Sequence, residues 1–328
     1  MANTNERKIT SIGGSALIEG IMMRGPKRTT VAVRTGENEI HTEDINFPSI
    51  TSKSKFFRLP IIRGICGLID SMRLSYKALS VSADKALEAG LVEEEEPSKF
   101  EKWLTEKLGD NLMKVIMVIA TVLGVLLAVG LFFFLPSLLY DLLALIFPSI
   151  TDVVLAKSVF EGVLKIALFL GYIILCSQME EMKRVFMYHG AEHKTIFCYE
   201  EGLELTVENI KKQSRFHPRC GTSFLVITLL IGVVLGLFIP AQPFGISILR
   251  PVFKLLLLPI MIGIGYEAIK LCGKYDNKFT RILAKPGMWA QHITTKEPDK
   301  KMIEVAIEAM TAVIPDDGSD IVSNCCDK

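Results

Sequence analysis

The sequence predicts a mainly α-helical membrane protein with about four transmembrane helices and a small N-terminal cytosolic region, β-rich and then amphipathic-helical. Three observations predict it. Half of the 328 residues are hydrophobic and the mean hydropathy is positive. Charged residues still make up 22%, and they collect between long apolar runs instead of interrupting them. Such segregation suits a chain that meets both lipid and water. The N-terminal part, finally, alternates apolar and polar residues, the period of a half-buried strand.

Residues 1–58 read as the β-rich region. Thr30-Val31-Ala32-Val33-Arg34 alternates, Thr35-Gly36-Glu37-Asn38 has turn chemistry, and Glu39-Ile40-His41-Thr42 is expected to return as a hairpin. The opening Met1 to Thr10 is polar, so no cleavable signal peptide is expected. Residues 59–110 carry an amphipathic helix and an acidic linker. Ile61, Ile65, Leu68, Ile69, Met72, Tyr76 and Leu79 recur at spacings of three and four, while Arg63, Asp70, Arg73, Lys77 and Asp84 take the other side. That helix is expected either to lie on the membrane or to pack on the β region. Glu93 to Glu96 reads as a solvated hinge.

Residues 111–178 hold transmembrane helices one and two, over 113–135 and 158–177, with Trp103 at an interface position and Pro136 as a break. The run 138–147 is too short to span alone. Residues 222–272 hold helices three and four, over 222–239 and 248–271, the last kinked by Pro259. Glu161 and Lys165 stand one turn apart in the second span and are expected to neutralise each other. Lysine and arginine crowd the stretch before the first span, the central segment 179–221 and the C-terminal region 273–328, and are sparse in the two remaining connections. The positive-inside rule then puts both termini and the central segment in the cytosol. Lysine plus arginine (37) nearly equals aspartate plus glutamate (36), which gives no field for a nucleic-acid partner. The seven cysteines form no disulfide-like framework, and Cys325-Cys326-Asp327-Lys328 is not a prenylation box.

The chemistry concentrates in the central segment. His189-Gly190-Ala191-Glu192-His193 puts two imidazoles one helical turn apart on one face, as two ligands of one ion must be. Glu192 sits beside them as a general base, in the inverted order His-x-x-Glu-His known from zinc hydrolases. The competing reading is a histidine pair capping a membrane helix, with Gly190 weakening that helix. His217-Pro218-Arg219-Cys220-Gly221 leads into the third span, and His217 and Cys220 are further candidate ligands of Zn²⁺ or another divalent transition metal. Glu267 is a candidate carboxylate ligand, or else a partner of Lys270 or water. His292 follows the fourth span and either folds back on the site or lies on a surface turn.

The Gly13-Gly14 to Arg24 block, the His189–His193 pentad, the His217-Pro-Arg-Cys220-Gly221 block and the Met288-Trp289-Ala290-Gln291 block together make the chain resemble the YqhQ family along nearly its whole length. Ser15 stands where that resemblance would put glutamine. The resemblance implies a multi-pass protein of the bacterial cytoplasmic membrane and a predicted metal-dependent enzyme. Two functions are compatible with these residues. One is a zinc-dependent hydrolase at the cytoplasmic membrane face, acting on a peptide segment or a lipid headgroup. The other is a non-catalytic scaffold or assembly factor with a closed structural metal site, which would engage a membrane-protein partner or a second copy of itself. Transport is disfavoured because no inverted repeat is detectable.

Overall fold

The computed structural model describes residues 8–91, 115–116, 118–275 and 277–324. Trp103, the acidic linker, the start of the first span at Met113 and the Cys325-Cys326 pair lie outside the described residues. The chain divides into two compact units: Met1–Val92, Leu170–Ile231 and Pro259–Lys328 form the first, Glu93–Phe169 and Gly232–Leu258 the second.

The first unit is built on an antiparallel meander of β2 (Gly13–Leu17), β3 (Gly20–Arg24), β4 (Thr29–Arg34) and β5 (Ile40–Asp44), in that spatial order. The hairpin expected around Thr35 to Asn38 is the β4–β5 connection, with Arg34 opposite Ile40 and Thr30 opposite Asp44. Strand β3 is buried on both faces, and period two divides its side chains between two cores. Ile21 and Met23, with Ala32 of β4, join a cluster formed with α4 (Glu180–Glu200) and α10 (Lys300–Val313). Met22, with Val31 and Val33, joins another cluster with Leu74 and Ala78 of α1 (Ile62–Glu88). The result is three layers, α1 on one face of the sheet and α4 with α10 on the other. A separate short pair, β1 (Lys8–Thr10) with β6 (Ile321–Asn324), joins the two ends of the described chain.

Helix α1 packs through the side opposite to its large apolar stripe. Cys66, Asp70, Leu74, Ala78, Ser82 and Ala86 recur every fourth residue and are buried, whereas Ile69, Met72, Tyr76 and Leu79 are exposed. Small side chains let the helix approach the sheet closely. Ser82 donates from its hydroxyl to the Ile18 carbonyl, and Asp70 Oδ2 accepts from Ser49 Oγ at 2.6 Å and from the Ile50 N–H at 2.9 Å. Of the two expected placements, the helix packs on the β region, and it does so through its small residues, leaving the large apolar stripe an exposed face.

Two helices are long and apolar enough to cross a membrane among the described residues: α2 (Val118–Ile146) and α3 (Val154–Cys176). Together with α7 (Leu249–Leu256) and α8 (Leu258–Lys274), which pass the same test as one span bent by 46°, they make a membrane protein with two or three such spans. The expected third span is α6 (Gly221–Gly236), an apolar helix of only 16 residues. Pro136 does not break the first span as the sequence suggested. The stretch Gly130–Phe134 widens into a π-helical turn, so the Leu135 N–H reaches back to the Gly130 carbonyl and the ladder is rerouted just before the proline. The residues 138–147 therefore continue α2. The bend in the last span falls at Leu257, next to Pro259, as the sequence led one to expect.

Within the second unit, Glu161 pairs with Lys254 and lies 3.4 Å from Arg250 Nε, rather than being neutralised by Lys165 one turn away. Lys165 instead stands over the Phe133 ring at 4.8 Å. Arg250 is fully buried and also donates to Ser158 Oγ and to the carbonyls of Gly236, Ile239 and Pro240. Buried charges in an apolar helix bundle are held by paired partners, and these are 93 residues apart in sequence.

Candidate metal centre

The pentad sits on its own helix. The helix of the second span does not run on into it: α3 ends at Cys176, Met179 is extended (φ −72°, ψ 131°), and α4 starts afresh at Glu180. From Tyr188 to Cys198 this helix is almost wholly buried. Burial is tightest at Gly190, where a Cβ would stand 2.0 Å from the Lys296 carbonyl oxygen. The glycine is a point of close approach between α4 and the segment after α9 (Lys278–Thr294), not a weak place in the helix.

That close approach orients the first histidine. His189 Nδ1 lies 2.9 Å from the Thr294 carbonyl, and His193 Nδ1 lies 2.6 Å from the Arg215 carbonyl. A carbonyl only accepts, so each Nδ1 carries the proton and each Nε2 presents its lone pair. The two rings are 4.4 Å apart, centroid to centroid, as i, i+4 spacing dictates. Cys220, immediately before α6, brings its Sγ to 3.2 Å from His189 Nε2. The ligand atoms of His189, His193 and Cys220 all lie within 4.8 Å of one another. In a tetrahedral zinc site neighbouring donors stand about 3.3–3.7 Å apart, so closure onto an ion requires small side-chain adjustments.

The electrostatics suit a cation. Burial by itself would push the Cys220 thiol up, but the imidazoles of His189 and His193 outweigh it and hold the thiol well below its ordinary value. Burial acts on His189 in the opposite direction and is again outweighed, chiefly by Cys220, so its imidazole is pushed up to about 9. A proton shared between these groups occupies the place a divalent ion would take.

Glu192 faces the same space without belonging to this trio. Burial raises its carboxyl above the usual range. One partner is the Gly14 N–H, while Oε2 has no hydrogen-bond partner at all. Strand β2 can come this close only without a side chain, since a Cβ on Gly14 would stand 3.0 Å from Glu192 Cδ. A cavity of about 680 Å³ opens from the trio and Glu192. Its walls are mostly apolar, with Ile12, Val185, Ile196 and Ile269, and two cationic side chains, Arg219 and Lys270, also reach it.

The structure places the remaining candidates elsewhere. His217 is beside the trio, its ring 5.5 Å from that of His193, but its Nδ1 accepts from the Arg219 N–H at 3.3 Å and its Nε2 is 4.0 Å from Glu200 Oε2. Glu267 forms a bidentate pair with Arg63, one arm at 2.6 Å, and is not among the converging donors. Exposed His292 stacks on Phe216 at 4.3 Å. Sequence reasoning missed Gln291, which is fully buried. Its amide oxygen accepts from the His217 N–H and its amide nitrogen donates to the His217 carbonyl, both at 2.8 Å, fixing the turn that carries Cys220. A buried glutamine cannot be told from an exposed one by composition. The Thr294 and Arg215 carbonyls were missed as well, because backbone groups leave no residue-type signal.

A family model described as "Protein of unknown function (DUF1385)" matches residues 59–316. The uncharacterized protein YqhQ of Bacillus subtilis is 34% identical over 305 residues, 92% of each chain. No solved structure matches. The family model covers both histidine-bearing segments, and the relative extends the similarity to almost the whole length; the chain therefore belongs to the DUF1385 family, the one that includes YqhQ.

Proposed function

We propose that His189, His193 and Cys220 hold one divalent transition-metal ion, zinc by the nature of its donors, and that the protein is a hydrolase working at the cytoplasmic face of the bacterial cytoplasmic membrane. The observation that carries this reading is the fixed tautomer of both imidazoles: two Nε2 lone pairs and a low-lying thiol converge on one point. Two imidazoles with one thiolate form a borderline-soft donor set suited to zinc. Three protein donors beside a cavity correspond to an open coordination position, which favours catalysis over a closed structural site. A bound zinc ion would supply Lewis acidity and make a coordinated water more acidic.

The protein's own groups supply the rest. Glu192, with one oxygen held by the Gly14 N–H and the other unpartnered, is placed to receive a proton inside the cavity. Its raised basicity at a buried position fits that role. The apolar walls exclude bulk water, and the Thr294 and Arg215 carbonyls keep the imidazoles from turning. The substrate is a peptide segment or a lipid headgroup at the inner leaflet. We read the chain as crossing the membrane four times, through α2, α3, α6 and the bent α7–α8 pair, with both termini and the metal centre in the cytosol. The lysine- and arginine-rich segments around α4 support that orientation.

Elemental analysis of the detergent-purified chain tests the proposal. One zinc per chain is expected for the wild type and for Glu192→Gln, and none for the double variant His189→Ala/His193→Ala. Replacement by cobalt(II) should give a visible absorption band that added azide shifts, as an open position requires. A chain that takes up no metal, or a cobalt band indifferent to azide, would overturn it.

A further inference from the structure

A second cavity, of about 1140 Å³, lies against the first, and Ser11, Gly13, Gly14, Ser15, Gly221 and Tyr266 line both. The two share a wall and differ in chemistry. The chamber at the metal centre is walled mostly by apolar side chains, whereas the second is a polar groove bordered by Arg24, Lys27, Arg28 and Arg63 and by hydroxyl-bearing residues such as Ser71 and Ser75. Three of these cations are already matched: Lys27 with Asp317, Arg28 with Asp44, and Arg63 with Glu267. Arg24, at the end of β3, has no acidic partner among the described residues. Asp70, 1% exposed, also borders the groove, and its Oδ1 has no hydrogen-bond partner.

An apolar chamber alongside a groove with a spare cation and a spare buried acceptor is the negative image of an amphiphile. A guanidinium without a carboxylate suits a phosphate. An unpartnered carboxylate oxygen suits a donor such as a hydroxyl. The apolar chamber is bordered by Tyr266, Ile269 and Lys270 of α8, half of the bent candidate span, which on the four-span reading sets it beside the bilayer. We infer that the paired cavities bind a phosphodiester membrane lipid whose head carries free hydroxyls, its acyl chains in the chamber beside Val185 and Ile269 and its phosphate at Arg24. The inference rests on the metal-centre reading for what is done to the lipid, but not for the binding itself.

The test is equilibrium binding to the full chain in a neutral detergent. The probes are dioctanoyl phosphatidylglycerol, dioctanoyl phosphatidylcholine and sn-glycerol 3-phosphate. The phosphatidylglycerol, whose free hydroxyls can donate to Asp70 Oδ1, should bind at least about tenfold more tightly than the phosphatidylcholine, whose head has none. The tail-less glycerol phosphate should bind at least about a hundredfold more weakly, for want of buried methylenes. Both lipids carry the phosphate, so Arg24→Gln should weaken both at least about tenfold, one charged contact's worth, and Arg24→Lys should restore most of the loss. Val185→Trp, which fills the chamber, should weaken both lipids alike. Thermal melts and size-exclusion profiles establish that each variant is folded. Glycerol phosphate binding as tightly as the lipid, no preference between the two lipids, lipid affinity untouched by Arg24→Gln, or lipid binding untouched by Val185→Trp would each overturn the inference. Repeating the titration on chelator-treated protein separates the two readings. Lipid binding without metal uptake refutes the metal centre alone, and metal uptake without lipid binding refutes this inference alone.

Discussion

Replacing Gly190 by alanine would be the most economical probe of how the candidate metal centre is built. In an isolated helix the change is favourable by about 1 kcal/mol. Here the new methyl would stand 2.0 Å from the Lys296 carbonyl oxygen, a separation that real contacts avoid below 3.0 Å. Helix α4 and the segment at Lys296 must therefore part by at least about 1 Å, because the obstacle is backbone and cannot rotate away. Overpacking of this kind costs about 1–3 kcal/mol, so the net effect on stability is small to moderately unfavourable. Metal affinity is the sharper readout. The Thr294 carbonyl that fixes the His189 tautomer is two residues before Lys296 and must move with it. Loss of such an outer hydrogen bond lowers metal affinity by roughly 10- to 100-fold, or about 1.4–2.7 kcal/mol. The assay is competition for zinc against a chromogenic chelator, with Gly221→Ala as control. That position adjoins Cys220, but a Cβ there meets nothing within 4 Å. A folded Gly190→Ala chain that binds zinc as tightly as Gly221→Ala would refute the reasoning.

Other expectations follow from the same geometry. Glu267→Gln should leave zinc stoichiometry unchanged and lower stability by about 1 kcal/mol, because its carboxylate serves Arg63; a chemical melt beside elemental analysis checks both. In the zinc-free chain, iodoacetamide should modify Cys220 well before Cys198, whose thiol burial pushes up to about 11, and zinc should protect Cys220; mass spectrometry of timed samples reads the order. The zinc-free chain should also show a definite pH profile. His189, raised from 6.5 to about 9, contributes stability that is complete below 6.5 and lost as pH rises through about 9. Cys220, depressed from 9.0, contributes stability that is complete above 9.0 and lost as pH falls through its lowered value. Where both groups are shifted the two changes oppose each other, and on the acid side the pair's stabilisation declines as pH falls towards the lowered value of Cys220. Cys220→Ser should remove that acid-side decline; thermal melts in chelator across pH 5–10 on the two chains give the comparison.

Some of this architecture was legible in the sequence. Apolar runs announced the helices of the membrane part, the alternation from Thr30 to Arg34 announced the hairpin, and the four-residue spacing of His189 and His193 was enough to put both rings on one face. The rest was hidden for physical reasons. Helix α1 buries Ala78, Ser82 and Ala86, which carry little hydrophobic signal, while its large apolar residues face outward. Helix α10 supplies much of the main core through Met302, Ile303, Val305, Ala306, Ala309, Met310 and Val313, an i, i+3, i+4 pattern in a tail read only as cytosolic. The partner of Glu161 is 93 residues away, beyond any local rule. In the centre itself Cys220 was foreseen from its place before an apolar run, but the carbonyls of Thr294 and Arg215 that select the tautomers are identical in every amino acid.

The pairing of Lys8–Thr10 with Ile321–Asn324 has a consequence for how the protein is made. During translation the two imidazoles emerge long before Thr294, and β6 emerges after α10. Until α10 has emerged, the core that it completes is missing, and until Thr294 has emerged His189 lacks the carbonyl that holds its ring. On the metal-centre reading, ion capture would then be a late event, and nascent chains arrested short of Thr294 should be recovered with their metal seat unformed.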